Sequence, residues 1–315
     1  MKRVLITGVA GFIGSSLAYR LVNAGYLVVG VDDLSAGLRE SVPSRVEFFQ
    51  ADVRSPKIYP LFAGVDSVFH LAAKACLPEC HANPVETSDV NITGTANVLE
   101  AARRNGVRKF VYADTGAEYE GVPNLPSPVE TVRPLSIYAI SKRGGALLCE
   151  GYRELFGIRV TALRYFNVYG PGQDWRRSTP PVMSTFILQL LNGKAPTLYG
   201  TGTQRRDFVY IDDVNDFHML ALEDERTDNR VFNVGSGVNY SILEILGYVA
   251  QLLELSAHPV HVPDLPLSPP ETLADISAAL ALGWRPRTEI LDGLRKSVEY
   301  LKPRATQWRA SAGQP

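Results

Sequence analysis

The chain reads as an α/β protein, a doubly wound parallel sheet with a smaller C-terminal lobe. Three observations predict this. A short β-branched run, Val4-Leu5-Ile6-Thr7, meets a glycine-rich turn and then a stretch of helical periodicity over 15–24, the strand–turn–helix unit from which such sheets are wound. Further short apolar runs recur at 26–31, 109–113 and 158–165. A length of 315 residues buries a large core and suits two lobes.

Bulk properties narrow the function classes. The chain is 45% hydrophobic and 21% charged with a formal net charge of −1, so neither nucleic acid nor an anionic membrane is expected as partner. No apolar run approaches the roughly 20 residues of a membrane span, and the first apolar run is too short for a signal-peptide core. Three cysteines, Cys76, Cys80 and Cys149, cannot all pair, which fits a reducing cytoplasm. Cys76, Cys80 and His81 lack a fourth ligand at zinc-like spacing, so no metal is expected.

The first turn carries Gly8, Gly11 and Gly14. Between a strand and a helix, glycines let backbone approach a pyrophosphate, and the helix start offers free N–H groups and a positive dipole end. The second strand ends at Asp32. A carboxylate there accepts both adenosine ribose hydroxyls and repels a 2′-phosphate, which predicts NAD rather than NADP.

The spacing Gly-x-x-Gly-x-x-Gly in Thr7-Gly8-Val9-Ala10-Gly11-Phe12-Ile13-Gly14 resembles that of extended short-chain dehydrogenases/reductases, and more narrowly the nucleotide-sugar epimerases and dehydratases. Further landmarks follow in order. Asp32-Asp33-Leu34-Ser35-Ala36-Gly37 resembles the adenosine-ribose loop, with Asp33 where many relatives have Asn, and Asp52-Val53-Arg54 resembles the adenine contact. His70-Leu71-Ala72-Ala73 resembles the end of the fourth strand beside the cofactor, and Asn91-Ile92-Thr93-Gly94-Thr95 the start of the helix beside the active site. The resemblance covers roughly 2–301 and implies a Rossmann-type fold. Residues 1–170 with about 205–238 would form the NAD-binding domain, 171–204 with 239–302 the nucleotide-sugar lobe, and 303–315 a loose tail. It also implies a homodimer through helices near 88–104 and 138–156.

Tyr138 and Lys142 stand four apart at the start of a helical segment, hence on one face. A phenol of pKa about 10 becomes a base near neutrality only with roughly 4 kcal/mol of help from nearby positive charge. The resemblance makes Tyr138 the base, Lys142 the partner that binds the nicotinamide ribose, and Thr115 the hydroxyl that holds the reacting sugar oxygen. Thr115-Gly116-Ala117 lacks the acidic pair of the 4,6-dehydratases, so dehydration is disfavoured. Asp114 and Glu118 depart from the pattern, and Gly121 falls one place late. The two acids are expected to be solvated loop charges, the alternative being that they line the site. Gly144 and Gly145 each cost about 1 kcal/mol in a helix, so a neighbouring backbone is expected close by.

The run from Arg164 to Gln173 resembles an epimerase signature in which Tyr165 and Phe166 lie near the nicotinamide and Asn167 binds the substrate. Residues 198–214 resemble a hairpin whose Arg206 contacts the diphosphate; guanidinium suits phosphate oxygens. A second Arg expected upstream of Ala274-Asp275 is absent, and Asp264 and Glu271 stand nearby instead. The reading is an NAD-dependent nucleotide-sugar 4-epimerase of the UDP-glucose/UDP-galactose type. The rivals are uronate epimerisation or decarboxylation, net 4-keto reduction, and a silent dinucleotide-binding sensor.

Overall fold

The computed structural model describes residues 2–311 apart from 178, 265 and 266. Among these, β1 (Arg3–Thr7), β2 (Leu27–Asp32), β3 (Glu47–Gln50), β4 (Ser67–His70), β5 (Lys109–Thr115), β6 (Arg159–Tyr165) and β10 (Arg230–Val234) form one sheet ordered β10-β6-β5-β4-β1-β2-β3. Every ladder in it is parallel. Val4, Leu5 and Ile6 are wholly buried, as continuous apolar strands must be when helices cover both faces. On one face α1 (Phe12–Asn23) and α7 (Ile211–Glu223) pack Leu17, Leu21 and Phe217 against Ile6, Val111 and Leu163. On the other, α4 (Gly94–Arg104) and α5 (Ile137–Phe156) pack Val98, Ala146 and Cys149 against Leu5, Phe110 and Ala162. Strand order reverses at β1, so a crevice opens where the carboxyl ends of β1 and β4 diverge. Short helices α2 (Leu77–Ala82) and α3 (Pro84–Ser88) follow β4.

A second core gathers behind the carboxyl edge. Strands β7 (Asn167–Tyr169), β9 (Arg205–Tyr210) and β11 (Asn239–Ser241) form a three-stranded sheet, and β8 (Thr197–Tyr199) pairs with β12 (Val260–Val262). Helices α6 (Val182–Leu191), α8 (Ile242–Leu253) and α10 (Ile290–Leu301) bury Phe186, Ile187, Ile245, Val249 and Leu294 together. A single turn, α9 (Ser277–Leu280), leads to Trp284. That indole packs on Phe217 and donates to the Asp213 carbonyl at 3.0 Å, which ties the C-terminal segment to the first core.

Three expectations are corrected. The stretch 198–214 is not a hairpin: β8 and β9 belong to different sheets, because Gly200 and Gly202 adopt φ of 62° and 76° and turn the chain away. The tail is not loose over 303–311, where α11 (Ala305–Ser311) buries Ala305 and lays Trp308 on the second core. Two apolar residues three apart suffice to dock one turn, too few to register as periodicity; residues 312–315 lie outside the described residues. Gly144 and Gly145 are crowded mainly by side chains rather than backbone. A Cβ at Gly144 would meet Ile92 at 2.9 Å, and one at Gly145 would strike the Tyr112 hydroxyl.

Candidate active site

The crevice is an open cleft of about 590 Å³ lined by Gly8, Gly11, Asp32, Asp33, Ser35, Gly37, Asp52, Val53, Leu71, Ala72 and Ala73, together with Ala36, Ala51, Lys74 and Val90. Gly8 has φ of 73°, and a Cβ there would lie 2.7 Å from the Ala72 amide nitrogen; a Cβ at Gly14 would collide with the Gly8 carbonyl. Only glycine lets the two strand ends and the helix approach this closely. Helix α1 starts at Phe12 with no side-chain cap and no acid in its first turn. Its first turn-closing bond runs from Ser15 N–H to the Gly11 carbonyl at 2.9 Å, which leaves the Phe12, Ile13 and Gly14 amides facing the cleft end without a helical acceptor. That donor set fits a pyrophosphate.

Asp32 is buried and accepts from the Ala10 and Leu34 amides at 2.9 and 2.8 Å. Burial raises its pKa and the two N–H groups pull it down. Leu34 takes a left-handed φ of 62° and Asp33 accepts from the Ser35 amide, so the loop curls around the acid. Asp52 is held by Arg54 at 2.6 Å, and Arg54 also reaches Glu86 and Asp89. Asn91 is 1% exposed and its amide is engaged, accepting from Lys74 N–H and donating to the Lys74 carbonyl and Ser141 Oγ. It braces the cleft wall to α5 rather than opening into the cleft.

That brace places α5. Ser136 caps the helix, its hydroxyl accepting from the Ala139 amide at 3.1 Å. Glu120 accepts from the Leu135 and Ser136 amides and from Ser136 Oγ. This explains the late Gly121: the residue ahead of it anchors the positive end of α5. Tyr138 opens the helix and keeps part of its surface exposed. Burial pushes its phenol up to about 12, Asp114 and Cys80 also raise it, and a hydrogen bond with Thr115 and the charge of Arg177 pull it down. Thr115 ends β5 and also accepts from the Ala117 amide at 3.1 Å. One turn on, Lys142 is 3% exposed, with its ammonium 4.2 Å from the Tyr112 ring centroid. Burial pushes it down to about 8, against the fields of Asp114, Cys149 and Glu118. Thr115 and Tyr138 therefore meet at the end of β5, with Lys142 one helical turn on, its ammonium over the Tyr112 ring.

Asp114 and Glu118 are not solvated. Both are buried against Arg164, at 3.3 and 3.0 Å, because strand pairing sets Asp114 opposite Arg164. Arg164 also donates to Tyr119 Oη and the Val129 carbonyl, and Tyr119 donates to Asn233.

On the facing lobe Asn167 is exposed and donates to the Asp207 carbonyl at 2.9 Å. The Tyr165 ring lies at the end of β6, but its hydroxyl pairs with His218 of α7 at 2.6 Å. Asp207 is wholly buried and accepts from the Ser236, Gly237 and Ala274 amides, which fixes the strand presenting Arg206. Arg206 donates to Ser268 Oγ and the Arg205 carbonyl and forms no ion pair among the described residues. Burial lowers its pKa, so an anion would relieve it. Glu271 is bound by Asn239, while 265 and 266 lie outside the described residues. Sequence reasoning missed Lys74, Glu120, Ser141 and Arg177. Only the displaced Gly121 signalled any of them.

The family model described as the NAD dependent epimerase/dehydratase family matches residues 4–235. The chain belongs to that family. As an NAD dependent epimerase/dehydratase family member it is 36% identical to a UDP-glucose 4-epimerase of Mycolicibacterium smegmatis over 313 residues, covering 95% of this chain and 98% of that one. Its fold matches the crystal structure of a Thermotoga maritima UDP-glucose 4-epimerase with UDP-glucose at a TM-score of 0.92 and 33% identity, covering 96% and 99% of the two chains. It also matches a Bacillus cereus UDP-glucuronic acid 4-epimerase in complex with UDP-glucuronic acid and NAD at a TM-score of 0.88 and 32% identity, again covering 96% and 99%. Among the described residues no helix is long and apolar enough to cross a membrane.

Proposed function

We propose that the protein is an NAD-dependent nucleotide-sugar 4-epimerase of the UDP-glucose/UDP-galactose type. The observation that supports the reading is the hydrogen bond of Thr115 with Tyr138 at the end of β5, with buried Lys142 one turn on along α5 and Asn91 bracing that helix to the glycine cleft. Gly8, Gly11, Gly14, Asp32, Asp33, Leu34, Ser35 and Gly37 hold the adenosine diphosphate half of NAD, and Asp52 and Val53 flank the adenine. When bound, NAD accepts the C4 hydride and returns it.

Tyr138 takes the proton of the C4 hydroxyl and later gives one back. Thr115 holds that oxygen through both states, since a hydroxyl donates and accepts. Lys142 binds the nicotinamide ribose and keeps positive charge near the phenol. Bringing a phenol from about 12 to neutrality needs about 7 kcal/mol, more than a bare Tyr-x-x-x-Lys pair suggests, so ionisation belongs to the loaded enzyme. Asn167 and Arg206 hold the diphosphate side while the 4-keto sugar turns over. Ile140, Leu147 and Leu155 leave an exposed apolar stripe on α5, which supports a homodimer through that helix.

Arg177 favours a second reading. Its Nε is buried without a hydrogen-bond partner and its charge acts on Tyr138. A guanidinium there suits a C6 carboxylate, hence a uronate. The test is NMR of UDP-glucose, UDP-N-acetylglucosamine, UDP-glucuronate and GDP- and dTDP-sugars incubated with the purified protein without added cofactor. The first reading expects the galacto product from UDP-glucose; turnover of UDP-glucuronate alone would select the second. No product from any of them would reject both.

A further inference from the structure

The mechanism leaves one buried cluster unused. Tyr112 and Asp114 are two apart on β5 and so project from the same face, the one α5 covers. Tyr112 binds the Lys142 turn twice, by its hydroxyl to the Lys142 carbonyl at 2.9 Å and by its ring under the ammonium at 4.2 Å. Asp114 is the next side chain along that face, and a small cavity beneath Ala146 and Cys149 is lined by Asp114 and Arg164.

The acid pair itself is short of donors. Glu118 lies against Asp114, and as carboxylates both Glu118 oxygens and Asp114 Oδ1 have no hydrogen-bond donor. The Arg164–Glu118 approach of 3.0 Å lies off the N–H axis. Two buried carboxyls that meet acceptor to acceptor require a proton between them, so the pair carries one negative charge. Around Lys142 the other titratable groups are neutral near pH 7: burial holds His70 low, at about 3, and holds Cys149 and Tyr112 high.

We propose that Asp114 and Glu118 are positioning residues that share one proton and one negative charge, oriented by Arg164, and that this charge keeps the buried Lys142 an ammonium in the working enzyme. Its link to catalysis rests on the epimerase reading; its electrostatic core does not. Burial raises both carboxyls, and Asp114 raises Glu118 further, which keeps one proton on the pair at neutral pH. Arg143 is the remaining charge facing it.

The experiment is a pH titration of lysine Cε resonances by carbon-13 NMR, with Lys142 assigned from Lys142→Met. Removing an anion beside an ammonium lowers its proton affinity. The double variant Asp114→Asn/Glu118→Gln removes the shared charge whichever acid holds it and is expected to lower the Lys142 midpoint by about one pH unit, a tenfold loss. Asp114→Asn alone, which leaves the charge on the weaker-acting Glu118, is expected to lower it by about half as much. A midpoint that moves by less than about 0.3 units in the double variant, or in Asp114→Asn should the double variant not fold, overturns the inference. This readout needs no substrate, so failure of the epimerase reading would show separately, as a wild-type protein inactive on every nucleotide sugar. With a substrate in hand, the alkaline limb of kcat is expected to move to lower pH by the same amount, with KM changed less than about twofold. An equal loss at every pH marks a purely structural role and overturns it too.

Discussion

Burial acts on Tyr138 and Lys142 in opposite directions, pushing the phenol up to about 12 and the ammonium down to about 8. The phenol is therefore held neutral until a cation arrives beside it, while Lys142 keeps its proton up to about pH 8. Tyr138→Phe removes the proposed base and is expected to lower kcat by about 10³-fold while NAD stays bound, read from turnover and from cofactor released on denaturation. Turnover is also expected to fall as pH rises through about 8, since Lys142 loses its proton there. Thr115, Tyr138 and Lys142 were legible as residue types at fixed spacing. The burial of Asp114 and Glu118 was not, because it depends on a guanidinium 50 residues away that strand register brings opposite. A carboxylate in a turn looks solvated until its partner strand is known.

At the scale of the element, α5 is set by its capped start and one crowded face. Glu120→Ala removes the carboxylate that binds the Leu135 and Ser136 amides and is expected to cost about 1–2 kcal/mol, seen as a lower denaturation midpoint together with lower kcat. Gly145→Ala should raise intrinsic helix propensity by about 1 kcal/mol. The new methyl would strike the Tyr112 hydroxyl that holds the Lys142 turn, so a net loss of stability is expected, and a gain would contradict the packing. Strands β1, β2, β5 and β6 were readable as apolar runs. The separation of β8 from β9 was not, since glycines at 200 and 202 serve a hairpin and a divergent turn equally well. Local pattern names an element; pairing partners come from the whole chain.

Across the whole molecule two buried histidines set the acid limit. His70 bridges Thr7 and Thr95, and His218 faces Tyr165, each held near 3 by burial. A group whose folded pKa is depressed stabilises the fold above its unfolded value and loses that contribution as pH falls. Stability is therefore expected to drop between about pH 6.5 and 3, and His218→Gln to reduce the drop by at least about 2 kcal/mol, measured by urea unfolding at both ends of the range. Truncation after Lys302 removes α11, whose Ala305 and Trp308 complete the second core. It is expected to cost about 2 kcal/mol.

The central claim is that a hydride leaves C4 and returns to it inside one closed site. The direct measurement is NMR of the product formed from a C4-deuterated nucleotide sugar, with no cofactor added. Deuterium retained at C4 of the epimer is the predicted result. Its replacement by solvent hydrogen would mean that C4 is inverted by proton exchange, and would contradict the roles given to Tyr138, Lys142 and the glycine cleft together.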